Sequence, residues 1–193
     1  EHFPQDFPKI HLWHYKKFFP KYAKKADKII TVSEFSKKDI CECYSINPDK
    51  ISVAYNGANE IFTPVNEDVK EEIRRKYSEG KPYFMFVGSL HPRKNLARLF
   101  TSFDIFKKKN NNDIKLVIVG SKRWWTEPIK NAYEAMTFKD DVIFTGRLSA
   151  EDLHLVTASA LASVYVSYFE GFGIPIVEAF KCDTPVITSN VTS

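Results

Sequence analysis

The stretch YFMFVGSLHPRKNLARLFTSFDIFKK, residues 83–108, contains the alternation of elements that decides the fold. It begins with an uninterrupted apolar run, turns at Gly88, and continues into a segment whose apolar residues recur at helical spacing. Those residues are Leu96, Leu99, Phe100, Phe103 and Phe106. A strand that is apolar on both faces is typical of a parallel sheet covered by helices on each side. The stretch therefore predicts a strand, a short loop and a helix of an α/β fold.

The same alternation extends along most of the chain. Further strands are predicted at 28–33, 51–55, 114–120, 141–146, 162–168 and 184–189. Helices are predicted at 34–44 after an N-cap at Ser33, at 67–77, near 127–136, after a cap at Ser149, and from Pro175 to about Cys182. Short apolar strands that alternate with helices predict a doubly wound α/β fold with parallel sheets.

Composition narrows the class of protein. The chain has 193 residues, of which 44% are hydrophobic and 27% charged, as expected for a globular protein that buries a core. The longest apolar runs, YFMFV and LVIV, are far too short to cross a bilayer. Three cysteines, Cys41, Cys43 and Cys182, are an odd number, and Cys-x-Cys is a poor zinc-binding spacing. We expect reduced thiols in a cytoplasmic protein and no bound metal.

Positive charge is concentrated in residues 12–28, where six lysines stand against one aspartate, enough to account for the net charge of +4. On a helix the aromatic and aliphatic residues share one side and the lysines the other. The apolar side comprises Leu12, Tyr15, Phe19, Tyr22 and Ala26. We expect a helix, kinked near Pro20, whose apolar side packs on the core. A weak peripheral contact with an anionic membrane is the second interpretation, and nucleic-acid binding, for which no base-reading module is evident, is the third.

Ligands of a doubly wound sheet bind in the loops at the carboxyl ends of its strands. Such loops begin at Gly88, Gly120, Gly146 and Phe169. In the first of them Asn95 is a predicted N-cap, which places Arg93 and Lys94 at the positive end of the following helix. Cations are disfavoured there unless an anion binds between them. The loop therefore predicts a phosphate site, with two solvated charges as the alternative.

The stretch FEGFGIPIVEA, residues 169–179, carries two acids, Glu170 and Glu178, at the edges of an uncharged segment. Pro175 suits the first position of a helix, so Glu178 is expected in its first turn and Glu170 in the preceding loop. The carboxyl groups of a retaining glycosidase lie about 5–5.5 Å apart, whereas eight helical residues span roughly 12 Å. The spacing permits a hydrolase without requiring one. Acids that bind hydroxyls beside amides that bind phosphate describe a sugar-nucleotide pocket.

This stretch resembles the E-x7-E segment of the retaining glycosyltransferases of the group 1 (family 4) type, which have the GT-B fold of two Rossmann domains. Five other segments resemble the same family in order and spacing. They are ADKIITVSEFSKKDI, ISVAYNGAN, FVGSLHPRKNL, VIFTGRLSAEDL and TPVITS. The resemblance covers essentially the whole chain, and its P-R-K-N residues at 92–95 resemble a mannosyltransferase-like subgroup.

The resemblance implies a division into domains. Residues 1–62 would be the C-terminal portion of the acceptor-side domain, 63–81 a linker, and 82–193 a donor-side domain that is incomplete at its C-terminus. On this interpretation both ends are truncated, and the chain alone would be inactive because part of its cleft is missing.

It also implies roles for individual residues. Glu170 resembles the glutamate that holds hydroxyls of the transferred sugar, and Glu178 the glutamate that holds the nucleotide ribose. Lys94 resembles the lysine that grips the pyrophosphate, and Arg93 replaces an arginine that many members carry where this chain has Ser89. Glu170, Lys94 and Arg93 are thus the expected catalytic residues.

The remaining expected donor-binding residues come from three strand-end loops. The amides of the Gly-Phe-Gly-Ile loop would face the donor phosphates and sugar, the glycine-serine pair would lie beside them, and the Gly-Arg-Leu loop would contact the base. These residues are Gly171, Phe172, Gly173 and Ile174, then Gly88 and Ser89, then Gly146, Arg147 and Leu148.

The resemblance implies a hexosyltransferase that moves a sugar, with mannose as the first guess, from a GDP- or UDP-linked donor to a glycan or lipid-linked acceptor. No cofactor is expected, because the nucleotide sugar is itself the substrate, and no metal is expected, because the sequence shows no metal-ligand cluster and no Asp-x-Asp loop. The alternatives are a non-catalytic nucleotide-binding module and a Rossmann oxidoreductase. The second is weak, because Gly-x-Gly at 171–173 lacks a third glycine at the required spacing.

Overall fold

Parallel pairing of short strands organises both parts of the chain. The computed structural model describes residues 1–122 and 125–192. Residue contacts divide the chain into two units. The first contains Glu1–Asn56 together with Glu170–Phe172 and Thr192, and the second contains Gly57–Phe169 and Gly173–Val191.

The first unit contains two helices and a two-stranded parallel sheet. The elements are α1 (Lys9–Lys25), β1 (Ile29–Thr31), α2 (Glu34–Tyr44) and β2 (Ile51–Val53). Ile29 of β1 pairs with Ile51 of β2. The predicted N-cap of α2 is confirmed, since the Ser33 hydroxyl accepts a hydrogen bond from the Ser36 amide at 3.0 Å.

Helix α1 corrects one expectation. It is amphipathic as predicted and contains Pro20, but none of its residues is buried. Tyr15, Phe19 and Tyr22 of the predicted core-facing stripe are 37%, 45% and 57% exposed. The expectation that this stripe packs on a core is therefore wrong for this structure. Among the described residues, no helix is both long and apolar enough to span a bilayer.

The second unit contains the alternation that the sequence predicts. Its strands are β3 (Tyr83–Val87), β4 (Lys115–Val119), β5 (Val142–Gly146), β6 (Ala162–Tyr165) and β7 (Val186–Thr188). Its helices are α3 (Glu67–Ser78), α4 (Leu96–Asn110), α5 (Glu127–Glu134), α6 (Ala150–Ala158) and α7 (Ile174–Lys181). The strands form one parallel sheet in the order β5-β4-β3-β6-β7. The predicted doubly wound α/β fold is confirmed.

Both faces of this sheet are covered, as the uninterrupted apolar strands require. Alternate side chains of β3 enter different cores. Phe86 packs with Leu96, Phe100 and Phe103 of α4, whereas Tyr83 and Met85 pack with Ile73 of α3 and Val156 of α6. Tyr83, Met85, Phe86 and Phe100 are fully buried, so the sheet is held from both sides.

The predicted linker at 63–81 contains α3, whose Ile73 is buried in the second of these cores. Phe62, placed in the acceptor-side domain by the resemblance, is buried against Ala158 and Cys182. The contacts therefore begin the second unit at Gly57, before the predicted linker. They also group Glu170–Phe172 with the first unit, although these residues were expected in the donor-side domain.

Candidate functional site

The strand order identifies a crevice at the carboxyl edge of the second sheet. From the central strand β3 the chain moves outward through β4 and β5, then returns to the other side of β3 to form β6 and β7. The loops after β3 and β6 consequently leave the sheet in opposite directions. Open α/β sheets bind their ligands at this switch point.

Lys94 lies in the loop after β3, at the end of a 3₁₀ turn formed by Pro92–Lys94 that runs directly into α4. Its side chain is only 7% exposed. The Nζ donates a hydrogen bond to the hydroxyl of Tyr165, the last residue of β6, at 2.7 Å. Lys94 therefore bridges the two strands that flank the switch point. A buried ammonium group at this edge is a site of attraction for an anion.

Two glycines bring the strand ends close together. The amide of Gly88 bonds the Val119 carbonyl at 3.0 Å, and the amide of Gly120 bonds the Gly146 carbonyl at 2.8 Å. A Cβ on Gly120 would lie 1.9 Å from the carbonyl oxygen of Gly88, so only glycine permits this approach. The ends of β3, β4 and β5 are thus fixed side by side.

A cavity of about 290 Å³ opens above these strand ends. Four residues predicted to bind the donor line it together with residues that follow β4. The lining includes Gly88, Ser89, Arg147, Leu148, Gly120 and Ser121. Ser89 and Arg147 are exposed, so their polar groups are accessible from solvent.

Arg93 and Asn95 both bind the backbone of the segment that follows β6. The Nη1 of Arg93 donates to the Phe169 carbonyl at 2.8 Å, and the side-chain amide of Asn95 donates to the Val166 carbonyl at 3.0 Å. Asn95 occupies the N-cap position of α4 in a left-handed conformation, with φ of 62°, but its side chain does not cap that helix. The predicted N-cap position of Asn95 is therefore confirmed, but its side chain binds the neighbouring loop and does not cap the helix.

Glu178 lies deeper in α7 than expected. The helix begins at Ile174, with Gly173 at the N-cap and Pro175 in the first turn, so Glu178 falls beyond the first turn. The prediction that Glu178 lies in that turn is wrong, and compensation of the helix dipole does not account for it. The side chain is half-buried, and burial raises the pKa of its carboxyl above the usual value. Burial disfavours the charged form of the group, so a carboxyl group in this position is a candidate for binding a ligand.

Residues Glu170–Phe172 make their described contacts within the first unit. The Glu170 amide donates to the Thr192 hydroxyl at 2.9 Å. The Gly171 carbonyl accepts hydrogen bonds from the hydroxyls of Ser33 at 2.6 Å and Ser36 at 3.2 Å. The N-terminal turn of α2 thus fixes the backbone next to the predicted sugar-binding glutamate.

Sequence reasoning missed the roles of four residues that build these sites. Ser33 was expected only to cap α2, and Ser36 carried no predicted role. Tyr165 had the pattern of an ordinary buried strand residue. His91 is 9% exposed and its Nδ1 accepts a hydrogen bond from the Arg93 amide at 3.2 Å, which caps the turn carrying Lys94. A histidine directly before Pro92 was the available signal for that cap.

Comparison with known proteins gives the family. The family described as glycosyl transferases group 1 matches residues 69–193, and the family described as glycosyltransferase family 4 matches residues 1–60. O-antigen chain mannosyltransferase B of Escherichia coli is 28% identical over 191 residues, which are 98% of this chain and 50% of that protein. O-antigen chain mannosyltransferase RfbU of Salmonella typhimurium is 32% identical over 169 residues, which are 88% of this chain and 44% of that protein.

Solved structures share the fold. WaaG, a glycosyltransferase involved in lipopolysaccharide biosynthesis, matches 94% of this chain with 50% of its own, at a TM-score of 0.78 and 20% identity. HepE of Anabaena was solved in complex with UDP and glucose. It matches 97% of this chain with 50% of its own, at a TM-score of 0.79 and 18% identity. The chain spans about half the length of these relatives. With parallel α/β units, a matching family over residues 69–193 and glycosyltransferase neighbours, the chain belongs to the group 1 glycosyl transferases.

Proposed function

We propose that the protein is a retaining glycosyltransferase that moves a hexosyl group, mannose in the first instance, from a nucleotide diphosphate sugar to a glycan or lipid-linked acceptor. The observation that carries the proposal is the buried ammonium of Lys94 at the switch point of the sheet. The names of the E. coli and Salmonella relatives support mannose, and the UDP and glucose bound to HepE support a nucleotide sugar donor.

The diphosphate would bind at Lys94. A leaving diphosphate gains negative charge as the bond to the sugar breaks, and a fixed cation in a dry site stabilises that charge more than water does. The 3₁₀ turn before α4 fixes the Lys94 backbone, because the Lys94 amide donates a hydrogen bond to the His91 carbonyl at 2.8 Å. The ammonium is therefore positioned before the donor arrives, which lowers the cost of reorganisation.

Arg93 would bind the diphosphate together with Lys94, and its position indicates a second role. One of its guanidinium nitrogens binds the Phe169 carbonyl, immediately before Glu170. An arginine has five N–H donors, so this bond leaves the guanidinium with further capacity toward an anion. We assign Arg93 to the phosphate clamp and to the support of the loop that leads to Glu170.

The rest of the donor would occupy the cavity and α7. Arg147 and Leu148, which line the cavity at the end of β5, would contact the base. The half-buried carboxylate of Glu178 would accept hydrogen bonds from the ribose hydroxyls, and Glu170 would bind the hydroxyls of the transferred sugar. Retention would follow if the acceptor attacks from the face that the diphosphate leaves.

Calorimetry with UDP and GDP tests the phosphate assignment. Lys94→Ala should weaken binding of the preferred diphosphate by about 1.5–3 kcal/mol, the range for hydrogen bonds to a charged group. The matched control is Lys130→Ala, which removes an exposed lysine of α5. Equal affinity of the Lys94 and Lys130 variants would overturn the assignment, and binding without sugar transfer by the whole enzyme would favour a non-catalytic nucleotide-binding module.

A further inference from the structure

The hydroxyl of Tyr165 accepts a hydrogen bond from the Lys94 ammonium, which lies beyond the hydroxyl end of the ring and not over its face. The Nζ is 2.7 Å from the hydroxyl oxygen and 4.6 Å from the ring centroid. Tyr165 is 4% exposed, so this hydrogen bond is made away from water. A hydrogen bond to an ammonium group is stronger where the local dielectric constant is low.

The ring of Tyr165 also lies beside the start of α7. A Cβ on Gly173, the N-cap of α7, would lie 3.7 Å from the Cε1 of the Tyr165 ring. On the other side, a Cβ on Gly88 would lie 3.6 Å from the Cε of Lys94. The lysine and tyrosine side chains therefore fill the space between the loop after β3 and the amino end of α7.

The backbone of Tyr165 is fixed independently of Lys94. It pairs with Thr188 in the register of β6 and β7, and its carbonyl accepts a hydrogen bond from the Thr188 hydroxyl at 2.9 Å. The preceding residue, Val164, packs in the core on the α4 side of the sheet. Because successive strand residues point to opposite faces, Tyr165 projects away from that core.

We propose that Tyr165 is a positioning residue that holds the Lys94 ammonium at the amino end of α7, where the donor diphosphate binds. This inference rests on the proposed function, since it assumes that Lys94 binds the diphosphate. A lysine side chain has four rotatable bonds, and the hydrogen bond to the Tyr165 hydroxyl restricts the positions that the ammonium can take. The hydroxyl retains its own proton as a donor while it accepts from Lys94.

The test is a double-mutant cycle of Tyr165→Phe and Lys94→Ala, read by calorimetry with UDP, UMP, GDP and GMP. Tyr165→Phe keeps the ring and removes the hydroxyl. We expect it to weaken diphosphate binding about five- to tenfold, the size of the net contribution of one typical intramolecular hydrogen bond. Monophosphate affinity should change less than twofold, and the variant should add nothing in the Lys94→Ala background.

The matched control is Tyr83→Phe. Tyr83 is also buried, and its hydroxyl donates a hydrogen bond to the Val156 carbonyl at 2.7 Å, but it packs in the core formed with α3 and α6, at the opposite end of β3 from Lys94. It should leave all four affinities unchanged. A purely structural role of Tyr165 would lower the affinities for mono- and diphosphate equally, and that result would overturn the inference.

The cycle also separates the two proposals. If Lys94→Ala leaves diphosphate affinity unchanged, the proposed phosphate site fails and the inference fails with it. If Lys94→Ala weakens binding while Tyr165→Phe does not, or if the two losses simply add, only the inference about Tyr165 is overturned.

Discussion

The ammonium of Lys107 lies 2.8 Å from a carboxylate oxygen of Asp141, in a pair that joins α4 to the turn before β5. Lys107 is only 3% exposed and also donates to the carbonyls of Asn112 and Ile114. The other carboxylate oxygen of Asp141 is 2.9 Å from Lys115 of β4. Asp141 thus pairs with two poorly exposed lysines at the end of the sheet opposite the candidate site, and Lys115 also pairs with Glu79 at 2.9 Å.

Removal of the Asp141 charge is expected to destabilise the fold. Asp141→Asn would leave Lys107 buried without its carboxylate, which costs about 3 kcal/mol. Asp140→Asn, which changes the exposed neighbour, should cost less than about 0.5 kcal/mol. Urea denaturation at pH 7 measures both, and similar midpoints for the two variants would contradict the prediction.

The loss of stability in Asp141→Asn is also predicted to depend on pH. Burial alone would raise the pKa of the Asp141 carboxyl, but hydrogen bonds from Lys107 and Lys115 outweigh it and hold that pKa below the ordinary value of 3.8. The stabilisation that Asp141 provides is therefore complete at pH values above its ordinary pKa. It is lost as the pH falls through the lower pKa of the folded state. The stability difference between wild type and Asp141→Asn should shrink as the pH is lowered from 7 into that range.

The close approach of Gly120 to Gly88 predicts that even an alanine side chain is not tolerated at position 120. A Cβ on Gly120 would overlap the Gly88 carbonyl oxygen, so Gly120→Ala must push the ends of β3 and β4 apart, at a cost of about 2 kcal/mol. Nucleotide binding should weaken too, because both residues line the cavity. Gly57→Ala is the control, since its Cβ would meet no atom within 4 Å. Thermal unfolding with nucleotide titration checks both effects, and a Gly120→Ala protein as stable as Gly57→Ala would count against the described approach.

Much of this architecture was predictable because local patterns determine it. Apolar runs gave every strand of the second sheet, and capping residues such as Ser33 and Ser149 gave helix starts that the structure confirms. The loops at Gly88, Gly120 and Gly146 were identified because parallel strands end at the same edge of a sheet. These predictions need only the order and spacing of residues.

What could not be predicted depends on distant partners. The Ser33 hydroxyl bonds the carbonyl of Gly171, which is 138 residues away in sequence. Tyr165 contacts Lys94, and in the sequence nothing distinguishes it from the other apolar residues of β6. The pattern of α1 indicated its two sides correctly, but not that its apolar side is exposed. A shift of one residue in the start of α7 was enough to move Glu178 beyond the first turn.

The exposed surface of α1 predicts an attraction to anionic membranes. Its lysines are all exposed, and each near an anionic surface contributes about 1 kcal/mol. We expect sedimentation with anionic vesicles at low salt, and much weaker sedimentation at ~0.5 M salt, because charges at the surface are screened. Replacing Lys21, Lys24 and Lys25 with glutamine should reduce binding at low salt. Vesicles of neutral lipid are the control.

Two outcomes would contradict this prediction. Binding that survives high salt and the glutamine substitutions would mean that the exposed aromatic residues Trp13, Phe19 and Tyr22 enter the bilayer. No binding at low salt would mean that the lysines are only a solvated face.

Glu178 carries a prediction in which stability and binding change in opposite directions. Burial raises the pKa of its carboxyl above the ordinary value of 4.5, so folding favours the protonated form. Its contribution to stability is greatest below that ordinary value and falls as the pH rises through the folded-state pKa. Glu178→Gln should therefore raise Tm at pH 7 slightly, on the order of 1 °C because the group is only half-buried, and leave Tm unchanged near pH 4.

The same substitution should weaken the binding of nucleotide. If the carboxylate accepts hydrogen bonds from the ribose, Glu178→Gln should lower the affinity for the preferred diphosphate about tenfold and affect its 2′-deoxy form much less. Glu170→Gln is the matched control: it should spare the free nucleotide and reduce transfer from the full donor. Calorimetry at pH 7 and differential scanning calorimetry at both pH values provide the measurements. A variant that is less stable than wild type at pH 7, or that binds the ribo and deoxy forms with equal loss, would assign Glu178 to the fold rather than to the ribose.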